Sequence, residues 1–411
     1  MQRDCKEAFA AVEAGDAQKL TKELEMGVSP DAELDKDTLL SKAAHKGNVD
    51  ACRALLEHGA KVNQEDGWYR TLLHAAVENG QMDACRLLLE HDATLYQTDG
   101  YNRLPLHVAL DKRQMDLFRL LLERGNNVNL CNGFGMSPLY YAAMNGDTDL
   151  CRFLLGRGAD VSRAAADGAT PLHIAAGRGH RNVCCVLAEH GADGMQHNEH
   201  WQSPLHYAAK DGHADVCGVL VLNARASVTQ RDRCGNTPLH LAASEGHKET
   251  CRNLLYHGAD AEQTNKSGES PLHMAAQNGH GEVCQLLLNR GGANVNHAPI
   301  DWDALVNGTA CSYSETSPLF KAAENGHVQV CQLLFQRGAS VKQTRRDGVF
   351  PLFIAAANGH ADVCRLLLAH GADAKQTTTD GRSASSVAEQ NGHVDVCQLL
   401  ANSNDDDTAG R

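Results

Sequence analysis

Apolar positions along this chain follow the period of a short helix, then stop, then begin again. In Gly281–Gly292, GEVCQLLLNRGG, the residues Val283, Cys284, Leu287 and Leu288 share one helical face, and Gly291 closes the segment as a C-cap. The stretch DGATPLHIAAGRGH, residues 167–180, predicts the helix that comes before such a segment. Thr170 is placed to cap it, and Pro171 falls in the first turn, where a missing N–H costs nothing. Ala175 and Ala176 keep the packing face thin, and Gly179 permits the positive φ of a tight turn. The Asp- or Asn-containing link to the next helix is short and turn-rich, which predicts a β-hairpin finger.

The pattern repeats. Equivalent slots begin at Thr38, Thr71, Leu104, Ser137, Thr170, Ser203, Thr237, Ser270, Ser317, Phe350 and Ser383. Nearly every step is 33 residues; the exceptions are 34 after Ser203 and 47 after Ser270, so about 14 residues are inserted after the ninth repeat. A degenerate opening repeat with Phe9, Ala10, Ala11 and Gly15 brings the number to twelve. One such repeat cannot bury its own apolar face, whereas a stack can.

Thr170-Pro171-Leu172-His173, Thr237-Pro238-Leu239-His240 and the Gly-Ala-Asp runs at Gly191, Gly258 and Gly371 resemble the ankyrin-repeat family over residues 5–401, less the insertion. The resemblance implies an all-α fold with short β-hairpin fingers, a solenoid of about twelve stacked helix-turn-helix repeats. It also implies protein binding through finger tips and a concave helix face. The organisation expected is a degenerate capping repeat over 1–36, a first block of repeats over 37–296 and an insertion loop over 297–316, followed by a second block over 317–401 and a disordered acidic tail over 402–411. The insertion is either functional or a disordered spacer, and it is also a candidate soft joint between the two blocks.

Of the 411 residues, 42% are hydrophobic but only 5% aromatic, so the core must rely on Leu, Ala, Val and Cys. A formal charge of -13 argues against nucleic-acid binding, which draws its affinity from Lys and Arg meeting phosphate. No apolar run approaches the length of a membrane helix and the first residues are polar and mixed in charge, so the expectation is a soluble protein with no signal peptide and no membrane insertion. Cytoplasm is the expected compartment, with the nucleus as the alternative.

Ten of the 15 cysteines fill one slot of the second helix, from Cys52 to Cys397, and Phe118 takes the eleventh. Stacked helices lie about 8–10 Å apart, and a disulfide needs Cα atoms within roughly 4.4–6.8 Å. The ladder is therefore not bridged rung to rung. No Cys-x-x-Cys pair supplies a zinc site, and each of these thiols reads as a small buried hydrophobe in a reducing compartment. Of the 22 histidines, 18 recur at architectural slots: one set follows the Pro-Leu slot, one follows the turn glycine, and one sits near the end of the second helix, where a donor engages terminal carbonyls. His197 and His200 around Glu199 lack the spacing of a helical metal site. No nucleophile elbow, phosphate loop or dinucleotide fingerprint occurs in context, so no catalytic residue, cofactor, metal or small-molecule substrate is expected.

Specificity should therefore lie where exposed slots differ. All three tryptophans, Trp68, Trp201 and Trp302, fall in fingers or the insertion, and Tyr69, Tyr101 and Phe134 share that placement. With His200 and Arg233 they form the candidate partner-binding set, since interface hot spots favour Trp, Tyr and Arg. The competing reading is that the rings fold back on neighbouring fingers. Tyr69 and Trp201 occupy a slot held by Gly135, Gly168, Gly235, Gly268, Gly348 and Gly381 elsewhere, which predicts positive φ. The fourth repeat departs from pattern at Leu110, Arg113 and Phe118, and the last puts Ala384 and Glu389 in slots for Pro and Ala, as a polar cap would. The function expected is a non-catalytic scaffold or adaptor for one or more proteins. The alternatives are a substrate-recognition subunit of a ubiquitin ligase or phosphatase, and a metal or redox sensor.

Overall fold

A computed structural model of the chain describes residues 5–34, 37–65, 69–125, 127–298 and 316–409, with 404–409 as backbone alone. The helices fall into twelve consecutive pairs, from Lys6–Ala14 with Ala17–Glu25 to Ala384–Gln390 with Val394–Ala409. The chain divides into two compact bodies, Met1–Pro171 and Leu172–Arg411. Among the described residues no helix is long and apolar enough to cross a membrane.

In the C-terminal body, the eighth repeat shows why these residues fold as they do. Thr237 is extended ahead of the helix Pro238–Ser244, and His240 completes a capping box with it. The Thr237 backbone N–H donates to His240 Nδ1 at 3.1 Å, and the hydroxyl lies 2.8 Å from the same nitrogen. Nδ1 is thus an acceptor, so the ring is the neutral tautomer and its Nε2–H donates to the Glu269 carbonyl of the following finger at 3.0 Å. Ser203 with His206 and Ser270 with His273 repeat the box. The second histidine of each repeat points the other way: His247 Nε2 donates to Lys210 O at 2.9 Å and His280 Nε2 to Ser244 O at 2.9 Å, both in the preceding repeat. Its ring covers the preceding turn. A Cβ on Gly246, at φ 79°, would sit 2.5 Å from His280 Nδ1, so that position needs glycine twice over.

Ala242, Ala243, Cys251 and Leu254 are fully buried between repeats. Burial pushes the thiols of Cys217, Cys251, Cys284, Cys331 and Cys364 up to about 12. All cysteines among the described residues are free, and Cys397 in the last pair is only half-buried. Repeats nine and ten meet directly across the insertion. His273 Nε2 lies 2.9 Å from Thr316 O, His327 Nε2 donates to Gln277 O at 2.8 Å, and Lys321 pairs with Glu269 at 2.7 Å. One of the extra residues is absorbed earlier: the helix Gly281–Leu286 runs on as a π turn, Leu287–Gly291, closed by Gly292 at φ 67°. Helical backbone continues to Ala409.

The N-terminal body is built likewise, with His74 bonded to Thr71 and to Arg103 O at 3.0 Å. Burial pushes the thiols of Cys52, Cys85 and Cys151 up to about 12. Its fourth repeat is the irregular one. Phe118 is fully buried in the cysteine slot, Arg113 adopts φ 56°, and a cavity of about 260 Å³ lined by Leu110, Arg113, Tyr141 and Leu150 opens beside them. Because Leu104 has no hydroxyl, His107 Nδ1 is buried without a partner, although Nε2 still donates to Met136 O at 3.0 Å.

The fingers contain less strand than the resemblance implied. Among the described residues, paired strands occur only at Glu33–Leu34 with Asp37–Thr38, with single bridges at Glu65–Thr71 and Thr377–Ser383. Elsewhere a side chain holds the turn, and one backbone bond closes it, as when Asn132 N donates to Met136 O at 3.0 Å.

Candidate partner-binding fingers

Each finger grows from a residue five positions before a helix cap. Asp99, Asn132, Asn198 and Asp232 stand there, all buried, and Asn265 fills the same slot. Oδ1 of each accepts from the backbone N–H two and four residues on: Asn132 from Phe134 and Met136, both at 2.9 Å, and Asn198 from His200 at 2.9 Å and Gln202 at 3.0 Å. This Asx anchor fixes the loop without needing a ladder. The residue two places after the anchor is pushed out to the tip, and the one after that is forced to positive φ.

Tyr101, Phe134 and His200 take the tip position, Tyr69 and Trp201 the positive-φ position that follows it, and Arg233 the position just before a tip. In the N-terminal body Tyr69, Tyr101 and Phe134 ride on three consecutive fingers and are 65%, 60% and 48% exposed. Tyr69 adopts φ 58°, as its glycine slot predicts, and so does Asn102, which occupies that slot on the next finger. Gly133 N donates to Asn102 O at 2.9 Å, tying the Tyr101 and Phe134 fingers together. The Arg103 guanidinium lies 5.2 Å from the centre of the Tyr101 ring while pairing with Asp99 at 2.8 Å and Asp111 at 3.1 Å. Burial alone would raise the Asp99 carboxyl, but hydrogen bonds from Arg103 and its charge outweigh that and hold it below the usual carboxylate range.

In the C-terminal body His200, Trp201 and Arg233 sit on two successive fingers, joined where Arg233 N donates to His200 O at 3.0 Å. Trp201 has φ 61° and is 55% exposed. One face of its indole stacks on His197, with centroids 4.9 Å apart and planes 8° from parallel. One side of the ring thus packs against its own finger, and the residue as a whole stays about half exposed. His197 is occupied in this way, and among the described residues no group of three or more His, Cys, Asp or Glu is arranged to hold a metal ion. Trp68 and Trp302 lie outside the described residues.

The sequence reading passed over the Asx anchors themselves. Their signal was available: an Asp or Asn recurs at one offset from the cap in six fingers. Singly each looks like an ordinary turn residue, and only its burial distinguishes it.

A family model described as ankyrin repeats (3 copies) matches residues 8–99, 40–132, 75–165, 106–198, 162–232, 205–299, 260–345 and 319–409. No curated protein matches the chain.

Proposed function

The chain belongs to the ankyrin-repeat family, whose repeats generally serve as protein–protein interaction modules, and from that premise we propose that it is a non-catalytic scaffold or adaptor gripping partner proteins by its finger tips and the helix face beside them. The observation that carries this reading is the set of large rings held outward on anchored turns: Tyr101, Phe134 and Trp201, each about half exposed or more. A free monomer gains little by exposing such rings, whereas a partner that covers them gains the burial of a large rigid surface at small entropic cost. The strained αL backbone of Tyr69 and Trp201 points the same way, because a glycine would fit both positions more easily. An intracellular, reducing compartment, with the cytoplasm first, suits a ladder of buried free thiols. Recognition of substrates for a ubiquitin ligase or phosphatase would be one use of such a scaffold, and co-purified ligase or phosphatase subunits would be its mark.

The test is proximity labelling or pull-down in cells, comparing the wild type with a Trp68→Ala, Trp201→Ala, Trp302→Ala variant. Partners should be lost from the variant, and Trp201→Ala alone should weaken a purified partner by about 2 kcal/mol or more with the melting temperature nearly unchanged. Equal loss of stability and binding would refute the reading in favour of intramolecular packing.

A further inference from the structure

The turn inside each repeat is covered by the repeat that follows, and at one junction this cover is missing. In six repeats, from His213 to His393, the histidine after the turn glycine lays its ring over the preceding repeat's turn. Nε2 then donates to the carbonyl two residues before that glycine, as His213 does to Gly177 O, His360 to Glu324 O and His393 to Ala357 O, each at 3.0 Å. Earlier repeats use amide side chains instead, Gln81 against Gly47 and Gln114 against Gly80.

Between repeats four and five, in the N-terminal body, both halves of the arrangement are replaced. Arg113 stands in the turn-glycine slot at φ 56°, and Asp147 stands where the covering side chain belongs. A Cβ in the glycine slot meets the ring: on Gly179 it would lie 2.7 Å from His213, and on Gly359 2.6 Å from His393. Arg113 therefore leaves no room for a fixed ring one repeat on. Asp147 instead caps its own helix, its Oδ1 accepting from Leu150 N at 2.9 Å. An ionised aspartate also has no N–H to offer Asp111 O, the carbonyl two residues before Arg113. What remains is the cavity of about 260 Å³, apolar at Leu110, Met115, Tyr141 and Leu150. Arg113 and Asp147 line it as well, and among the described residues Arg113 makes no ion pair.

These features select an occupant. An apolar cavity of about 150 Å³ takes up benzene, so this larger one has space for a fused ring. A guanidinium favours the face of an indole over that of a smaller aromatic ring. The indole N–H donates and accepts nothing, which matches a carbonyl lacking the ring donor its counterparts have. We infer that the cavity receives the tryptophan side chain of a partner protein, with its N–H directed to Asp111 O and its face against Arg113. The ring is taken from a partner because the chain is read as a scaffold. The site itself rests only on the turns of repeats four and five, and none of its residues belongs to a finger.

Fluorine NMR of 5-fluoroindole titrated with the full chain tests this. Its resonance should shift and broaden, and N-acetyl-tryptophanamide, which presents the side chain as a peptide does, should displace it. The double variant Arg113→Gly, Asp147→His restores the pair that six other junctions use, so folding is preserved, as circular dichroism will verify. That pair closes the cavity and should weaken fluoroindole about tenfold or more. Arg113→Gly alone removes the guanidinium but leaves the cavity open, and should weaken it about threefold. Trp201→Ala should bind fluoroindole as the wild type does, so failure of the finger reading would leave this titration untouched. Absence of binding, equal binding to the double variant, or an unchanged affinity on Arg113→Gly would overturn the proposal. Tighter binding of free tryptophan than of N-acetyl-tryptophanamide would also overturn it, since the ligand would then be the amino acid, held through its charges by Arg113 and Asp147.

Discussion

Acid should loosen the C-terminal body well before its carboxylates titrate. His240 and His273 are completely buried, and burial foremost pushes each ring down to about 4. Geometry reinforces this at His240: Nδ1 accepts from the Thr237 N–H, so a proton there would face a donor. The unfolded rings titrate near the ordinary 6.5. A histidine with a lowered folded value contributes fully above the unfolded pKa, and that stability drains away as pH falls from about 6.5 towards about 4. At about pH 5 the loss is about 2 kcal/mol per ring, or about 4 for the pair. Glu269, in the same body, is held below its ordinary range, with the Lys321 partnership outweighing burial. Its contribution is intact above the unfolded value and lost only as pH drops further, below the window in question. Urea unfolding of the full chain, followed by circular dichroism at about pH 7.5 and about pH 5, reads the difference. His240→Gln should start less stable yet lose about 2 kcal/mol less between the two conditions. A wild-type midpoint that stays put, or a variant that retains the full pH dependence, would refute the reasoning.

Three further outcomes follow from local geometry. Gly246→Ala should cost about 2–4 kcal/mol in urea unfolding, because the new methyl meets the fixed His280 ring as well as a positive φ. Gly258→Ala, also at positive φ but facing open space, should cost only about 1. At Trp201, glycine should be more stable than alanine by about 1 kcal/mol because φ is 61°, while both variants lose partner binding; alanine at least as stable would remove the strain argument. Native alkylation followed by mass spectrometry should modify exposed Cys234 quickly and leave the buried ladder from Cys52 to Cys364 unreacted until denaturant is added. Rapid labelling of that ladder would contradict its place in the core.

The repeat period made most of the architecture legible, because each slot is read many times over. Helix caps, turn glycines and buried cysteines stand where their spacing placed them, and even the φ of Tyr69 and Trp201 followed from the residues that replace them elsewhere. What escaped is what belongs to one repeat or to the contact between two. The opposite reach of the two histidine sets depends on ring orientation, which spacing does not encode. The π turn at Leu287–Gly291 is a backbone response to one extra residue, and the 47-residue step hid it inside a larger insertion. Leu222 and Tyr256 sit near the ends of two separate second helices, and only the folded chain reveals how far they are uncovered. Burial of the Asx anchors was likewise invisible to a reading that treated fingers as generic turns.

Direct stitching of repeats nine and ten has a consequence for how such an array grows. Asn296 Nδ2 donates to Gly338 O at 3.0 Å, and Ser340 N donates back to Asn296 Oδ1 at 2.8 Å, so described residues on the two sides of the seam bond directly to each other. For a flexible loop closed across such a seam, each doubling of length adds only about 0.6 kcal/mol of entropic cost. Evolution, or an engineer splicing in a reporter or a second recognition module, has here a docking port where new cargo arrives without renegotiating the architecture on either side.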